Sequence, residues 1–306
     1  MLESPSRLAG TGLCCLLLFM GNAGAQQMEP RAYSNAPVGM NFLVAGYAYS
    51  TGGYSADPSL PLTNAHLTLQ TPAAAYAHVL DIGGRSGKFD AIVVGGCVSG
   101  SAEFNGAPVS RDVCGLLDPA FRLSVNLYGA PALRLKEFGA YHQDVIVGAS
   151  LQVQAPWGQY DPSRLVNLGN NRWAFRPEIG ISKSFDPVTV ELAAGAALFT
   201  NNGNFYGGKT REQDPVYTGQ VHLIYQFRGG AWASLNGTYF TGGRTTVNGI
   251  ENNDKLGNSR GGLTLALPVN RFDSVKLHAS KGISTRTGAD FQLLSVFWQH
   301  RWGGGL

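Results

Sequence analysis

Hydrophobic and polar residues alternate along most of the chain beyond residue 120. In 121–128, Phe121, Leu123, Val125 and Leu127 fall on one side, and Arg122, Ser124, Asn126 and Tyr128 on the other. A two-residue period is the mark of a β-strand whose two faces meet different surroundings. The pattern returns at 143–155, where Val145, Val147, Ala149, Leu151 and Val153 oppose Gly148, Ser150, Gln152 and Gln154. At 172–184 it sets Trp173, Phe175, Ile179 and Ile181 against Arg176, Glu178 and Ser182. At 187–199 it sets Val188, Val190, Leu192 and Leu198 against Thr189 and Glu191, and at 216–228 Tyr217, Val221, Leu223 and Tyr225 against Gln220, His222 and Gln226.

Extending this reading predicts strands at 41–50, 74–83, 89–96, 121–129, 143–155, 172–184, 187–199, 216–228, 230–242, 259–268, 272–282 and 290–302. The connections tend to alternate. Those at 51–73, 97–120, 156–171, 200–215 and 243–258 are long, and those at 84–88, 185–186, 229 and 269–271 are short. The segment 130–142 is longer than a tight turn, and 283–289 is shorter than its class. A sandwich gives no reason for such sorting. An even-stranded antiparallel transmembrane β-barrel does, with short periplasmic turns and long extracellular loops. The fold class expected is therefore all-β, a barrel of about twelve strands. The run "HLTLQ" at 66–70 leaves ten to fourteen open.

The polar face sharpens this expectation. It is mostly Ser, Thr, Asn, Gln and Gly with isolated charges, as in a watered lumen, and aromatic residues collect at strand ends where membrane girdles stand. Only 14% of the 306 residues are charged, Gly reaches 41 and aromatics make up 10%. That is low charge beside the roughly 25% of ordinary soluble domains. The net charge of +3 gives no basic face for nucleic acid. A mean hydropathy of -0.05 excludes a bundle of membrane helices.

The first residues read as an export signal: Arg7, then the apolar "GLCCLLLFMG" at 12–21, then small residues at Ala23–Ala25 before a cleavage site at Gln26. The organisation expected is a signal peptide at 1–25, an N-terminal periplasmic segment at 26–40, the barrel at 41–302 and a tail at 303–306. Cys14 and Cys15 would leave with the signal. Cys97 and Cys114 remain, and in an oxidising compartment they are a candidate disulfide.

Motifs for chemistry are weak by comparison. "GGRSGKF" at 83–89 has three residues between Gly83 and Gly87 and Phe89 where a phosphate loop needs Ser or Thr, so it reads as a tight turn. His66, His78, His142, His222, His278 and His300 show no metal-ligand spacing. No Ser sits in a Gly-flanked elbow suited to nucleophilic catalysis. No cofactor, metal or catalytic residue is expected. The face assignment instead nominates Arg122, Asn126, Arg176, Glu178, Glu191, His222, Gln226, Lys276, His278 and Arg301 as lumen residues. They would either rigidify the barrel by salt bridges or set the field of a pore.

Five segments in order, "CGLLDPAFRLSVNLYGAPAL" (114–133), "SLQVQAPWGQYDPSRLVNLGNNRWAFRPEIGIS" (150–182), "TGGRTTVNG" (241–249), "NSRGGLTLALPVNR" (258–271) and "FWQHRW" (297–302), resemble the meta-pathway phenol-degradation family of outer-membrane proteins. The resemblance covers residues 40–302. It implies an outer-membrane transporter-like barrel in a Gram-negative bacterium, passively admitting small aromatic or hydrophobic compounds. It implies no catalytic residue. Expected partners are outer-membrane lipid, the barrel-assembly machinery and such solutes, with no nucleic acid. Positions that match and suit a lumen or loop role are Asp118, Asn126, Tyr160, Asp161, Asn167, Asn171, Arg172, Arg176, Glu178, Arg244, Asn248, Arg260 and Arg301. The stretch "APWGQYDPSRLVNLGNNRWAF" at 155–175 then reads as an extracellular hairpin tip suited to gating or solute capture. A surface-interaction barrel with a plugged lumen, or an outer-membrane hydrolase, are the alternative functions.

Overall fold

The computed structural model describes residues 29–54, 62–104 and 106–306; the expected signal peptide at 1–25 lies outside the described residues. Among the described residues, seventeen strands and one short helix follow in order. They are β1 (Met40–Tyr54), β2 (Leu62–Ile82), β3 (Arg85–Phe104), β4 (Ala107–Leu116), β5 (Ala120–Tyr128), α1 (Leu135–Phe138), β6 (Val145–Gln154), β7 (Ala174–Ser184), β8 (Val188–Phe199), β9 (Asn202–Phe205), β10 (Lys209–Gln213), β11 (Val216–Gln226), β12 (Trp232–Gly242), β13 (Thr245–Val247), β14 (Ile250–Glu251), β15 (Leu256–Pro268), β16 (Asp273–Ser284) and β17 (Ala289–Gly303).

Twelve of the strands, β1, β2, β3, β5, β6, β7, β8, β11, β12, β15, β16 and β17, pair antiparallel with their neighbours. The ring closes where β1 meets β17, from Met40 opposite Gly303 to Tyr54 opposite Ala289. Closure leaves no edge in the wall, which a sheet in lipid requires because hydrocarbon offers no partner for a free N–H or C=O. Both ends of the barrel sequence lie at the short-turn rim.

The two faces are dressed in reverse of a soluble protein. Leu235, Leu263, Leu294, Ile179 and Val93 are more than half exposed on the outside, while Arg122, Asn126, His222, Asn236 and Thr264 are buried within. Apolar groups thus point where lipid stands. An arginine placed there at mid-depth would cost roughly 2–4 kcal/mol. Outward aromatics gather towards both rims: Phe121, Trp157 and Trp173 stand in T-shaped pairs near the long-loop end. Tyr76 with Trp302, and Tyr225 with Phe227, stand near the short-turn end. Ring-bodied residues with a polar tip suit the boundary between lipid tails and water.

Several segments expected as loops are strands. Residues 97–120 contain the upper part of β3 and all of β4. β3 pairs with β5 from Gly87 to Ile92 and then with β4 from Gly95 to Phe104, so β4 and β5 stand in file, interrupted at 117–119. This tall hairpin rises clear of the apolar zone. Most of β4 is exposed, so neither of its faces needed apolar residues and alternation gave no warning. The "HLTLQ" run belongs to β2. The expected loops at 200–215 and 243–258 hold β9, β10, β13 and β14, which form a small separate sheet. Residues 130–142 hold α1.

Candidate pore and its extracellular mouth

The barrel's inner surface has two sectors. Inward residues of β1, β2, β3 and β17, among them Val44, Leu69, Ala73, Ala75, Ile92, Val94, Val98 and Phe297, pack with Leu117 and Leu168 into one apolar cluster. The remaining wall is polar at mid-depth, with smaller apolar clusters around Phe240 and Trp232 nearer its two ends. A belt of cross-strand bonds runs around it: Ser182 Oγ donates to Glu191 Oε1 at 3.0 Å, His222 Nδ1 meets Asn236 Oδ1 at 2.9 Å, Asn236 Nδ2 donates to Thr264 Oγ1 at 3.0 Å, and Thr264 Oγ1 meets His278 Nδ1 at 3.0 Å. The belt follows from register, since Ser182 lies opposite Glu191, Glu191 opposite His222 and His222 opposite Asn236. Such pairing meets the need of buried polar groups for a partner.

Residues 29–39 turn into this polar sector. Tyr33 Oη donates to Glu178 Oε1 at 2.9 Å, the Arg31 N–H to Glu191 Oε2 at 2.6 Å, and Arg31 Nη1 to Gln226 Oε1 at 2.9 Å. Arg122 binds Asp90 at 2.9 Å and also pairs with Glu29. The Tyr33 ring lies where Gly148 and Gly180 leave room; a Cβ on either would come within 2.2 or 2.4 Å of it. The segment is tied at the rim as well, where the Val38 N–H donates to the Leu133 carbonyl at 2.9 Å. These residues belong to the segment expected in the periplasm at 26–40. Arg122, Glu178, Glu191 and Gln226 lie 93 to 195 residues from the residues they hold, and "EPRAYSNAPVG" has no periodicity that would announce them.

The lumen candidates all stand on inward positions. Arg122, Glu178, Glu191 and Gln226 hold residues 29–33, while Arg176 Nη2 donates to Gln154 Oε1 at 3.0 Å. Asn126 and Lys276 are buried on the inner face. Arg301 sits at the rim, its Nε donating to the Arg271 carbonyl at 2.9 Å.

At the other end the loops fold together. Asp118 fastens the 155–173 loop: Oδ1 accepts the Gly158 N–H at 2.9 Å, and Oδ2 accepts the Asn170 N–H at 2.8 Å and its side-chain amide at 3.0 Å. Burial pushes the Asp118 carboxyl above its ordinary value, against the pull of those N–H groups. Asn167 bonds Asp161, and Asp161 accepts both the hydroxyl and the N–H of Ser163, which lower its pKa. Tyr160 Oη donates to the Asn204 carbonyl and Asn171 Nδ2 to Asn202 Oδ1. Asn248 Oδ1 accepts the Thr210 N–H, and Arg244 pairs with Glu251. Asn171 and Asn248 have positive φ, the backbone state asparagine tolerates better than most residues. These loop candidates are thus engaged in bonds within the loops and between them.

Arg172 stands apart from that pattern. It is buried, stacks 4.3 Å over the Phe199 ring and donates through Nη2 to Gln213. Burial, with the like charges of Arg211 and Arg176, pushes its guanidinium well below the usual arginine value. Cys97 and Cys114 are joined by a disulfide across the β3–β4 hairpin. Asp90, Glu29 and Arg31 join the lumen groups without standing among the expected ones; of the three, only Asp90 lies on a strand whose alternation marks it as an inward charge, beside Arg122.

A closed twelve-stranded antiparallel barrel, lipid-dressed outside and polar over much of its interior, defines a transmembrane β-barrel of the outer-membrane type. The family described as "Putative MetA-pathway of phenol degradation" matches residues 46–299, and the chain belongs to it. Among solved structures it is similar to the COG4313 outer membrane channel from Pseudomonas putida F1, with a TM-score of 0.71, 20% identity, and coverage of 90% of this chain and 100% of that one. That likeness shows the fold. Lower similarity extends to the transport unit of the autotransporter AIDA-I from Escherichia coli (TM-score 0.49, 6% identity, 86% and 90% of the two chains). It extends also to the CymD monoaromatic hydrocarbon channel (0.43, 8%, 89% and 90%). No curated protein matches the chain.

Proposed function

We propose that the protein is a passive channel of the outer membrane that admits small aromatic or hydrophobic compounds. The observation that carries this reading is the apolar sector of the inner wall, from Leu69 and Ala73 through Val94 to Phe297. A pore for sugars or salts would gain from polar groups all round, which replace the lost hydration of its cargo. An apolar strip beside a polar belt suits a solute with a greasy body. Passage down a gradient needs no cofactor and no covalent step, so the reading is not enzymatic. Belonging to a family named for phenol degradation agrees with aromatic cargo.

One observation favours the plugged-barrel alternative, namely that residues 29–33 occupy bonds of the polar sector. Entry of a solvent-sensitive dye, N-phenylnaphthylamine, into intact cells separates the two readings. Cells producing the protein should take up the dye faster than cells without it, while uptake of a small pentose stays unchanged. Dye entry no faster than in the control would exclude the hydrophobic channel, and acceleration of the pentose alone would point to an ordinary hydrophilic pore.

A further inference from the structure

Beneath the extracellular loops, Arg172 and Arg211 bring two positive charges together without an ion-pair partner among the described residues. Arg172 is buried, yet its Nη1 meets no hydrogen-bond partner, and the Nε of Arg211 is likewise unmet. Arg172 Nη2 is spent on the neutral Gln213, and both guanidiniums lie over aromatic rings, Arg172 over Phe199 at 4.3 Å and Arg211 over Phe205 at 5.3 Å. The nearby carboxylate, Asp118, is committed to three N–H donors of the Gly158–Asn170 loop and forms no ion pair with Arg172. A desolvated guanidinium with open donors and like-charged neighbours is costly unless an anion completes it.

The surroundings restrict which anion would fit. Leu117 and Leu168, chain neighbours of Asp118 and of the Asn170 loop, belong to the apolar cluster of the inner wall. Phe199 and Phe205 add ring surface on the side of the arginines. We infer that Arg172 and Arg211 form an anion subsite at the mouth of the barrel, which takes the carboxylate of a small aromatic acid while its ring faces the apolar cluster. The arginine fork matches a carboxylate's two oxygens. This rests on the channel reading and narrows its solute class from hydrophobic compounds in general to those carrying one negative charge.

Equilibrium dialysis of radiolabelled benzoate against the detergent-solubilised full chain, with empty micelles as the blank, tests the subsite without requiring transport. The expected result is saturable benzoate binding that Arg211→Gln weakens about tenfold, a change of roughly 1.4 kcal/mol in binding free energy. Arg172→Gln should abolish it, and Arg172→Lys, which keeps the charge without the fork, should restore part of it. Each variant is first shown to keep the heat-dependent gel mobility of a folded barrel; Arg211, on the small outer sheet, tests the idea even where Arg172 variants fail to fold. Benzyl alcohol and acetate should both compete poorly. Absent binding, binding indifferent to Arg211→Gln, or displacement by benzyl alcohol or acetate as effective as by benzoate would each overturn the inference. Dye entry into cells is unaffected by these outcomes, so the channel reading stands or falls separately.

Discussion

Glu178 illustrates how a single inward residue can be legible in sequence while its role is not. Alternation at 172–184 put it on the polar face, since Ile179 and Ile181 had to share the other. What it touches came from elsewhere: the Tyr33 hydroxyl at 2.9 Å and the Gln220 amide at 3.0 Å. Period two reports a side of the sheet, and nothing in it reports a partner 145 residues away. Glu178→Gln keeps an oxygen for Tyr33 but removes the charge that strengthens the bond, a loss of about 1 kcal/mol. The variant should hold Tyr33 less firmly and shift the reversal potential under a potassium chloride gradient towards anions. An unchanged potential in a conducting protein would put Glu178 away from the ion path.

At the scale of elements, the lipid-crossing strands were readable because lipid demands an unbroken apolar face. β5, β6, β7, β8 and β11 lie within about two residues of their expected bounds. β4 was not readable, because water surrounds it and leaves its sequence free. There the cysteines supplied the signal instead. Cys97 and Cys114, 17 residues apart, close the β3–β4 hairpin just above the point where β5 gives way to β4. Closing a loop of that size restricts the unfolded arm by about 3 kcal/mol in the chain-entropy account. Replacing both cysteines with serine should therefore hasten protease cutting within 97–114 while leaving the barrel's heat-dependent gel mobility intact. Cutting at an unchanged rate would show that strand pairing alone secures the arm.

For the molecule as a whole, the even strand number and the sorting of long and short connections led to a closed barrel, and both reflect a bilayer that permits no open edge. The inward course of residues 29–39 was hidden for the opposite reason. A segment held by separate polar bonds to Arg122, Glu178, Glu191 and Gln226 needs no periodicity, only side chains of the right kind. Removing those residues deletes no strand, and it frees the polar sector they occupy.

As a channel, the folded chain encloses a passage through the membrane, narrowed by that segment. Ion current through planar bilayers, recorded for the full chain and for a variant lacking residues 29–39, is the decisive measurement. Small, discrete steps for the full chain and several-fold larger steps for the shortened one are the predicted result. Bilayers that stay sealed with both forms inserted and folded would contradict it.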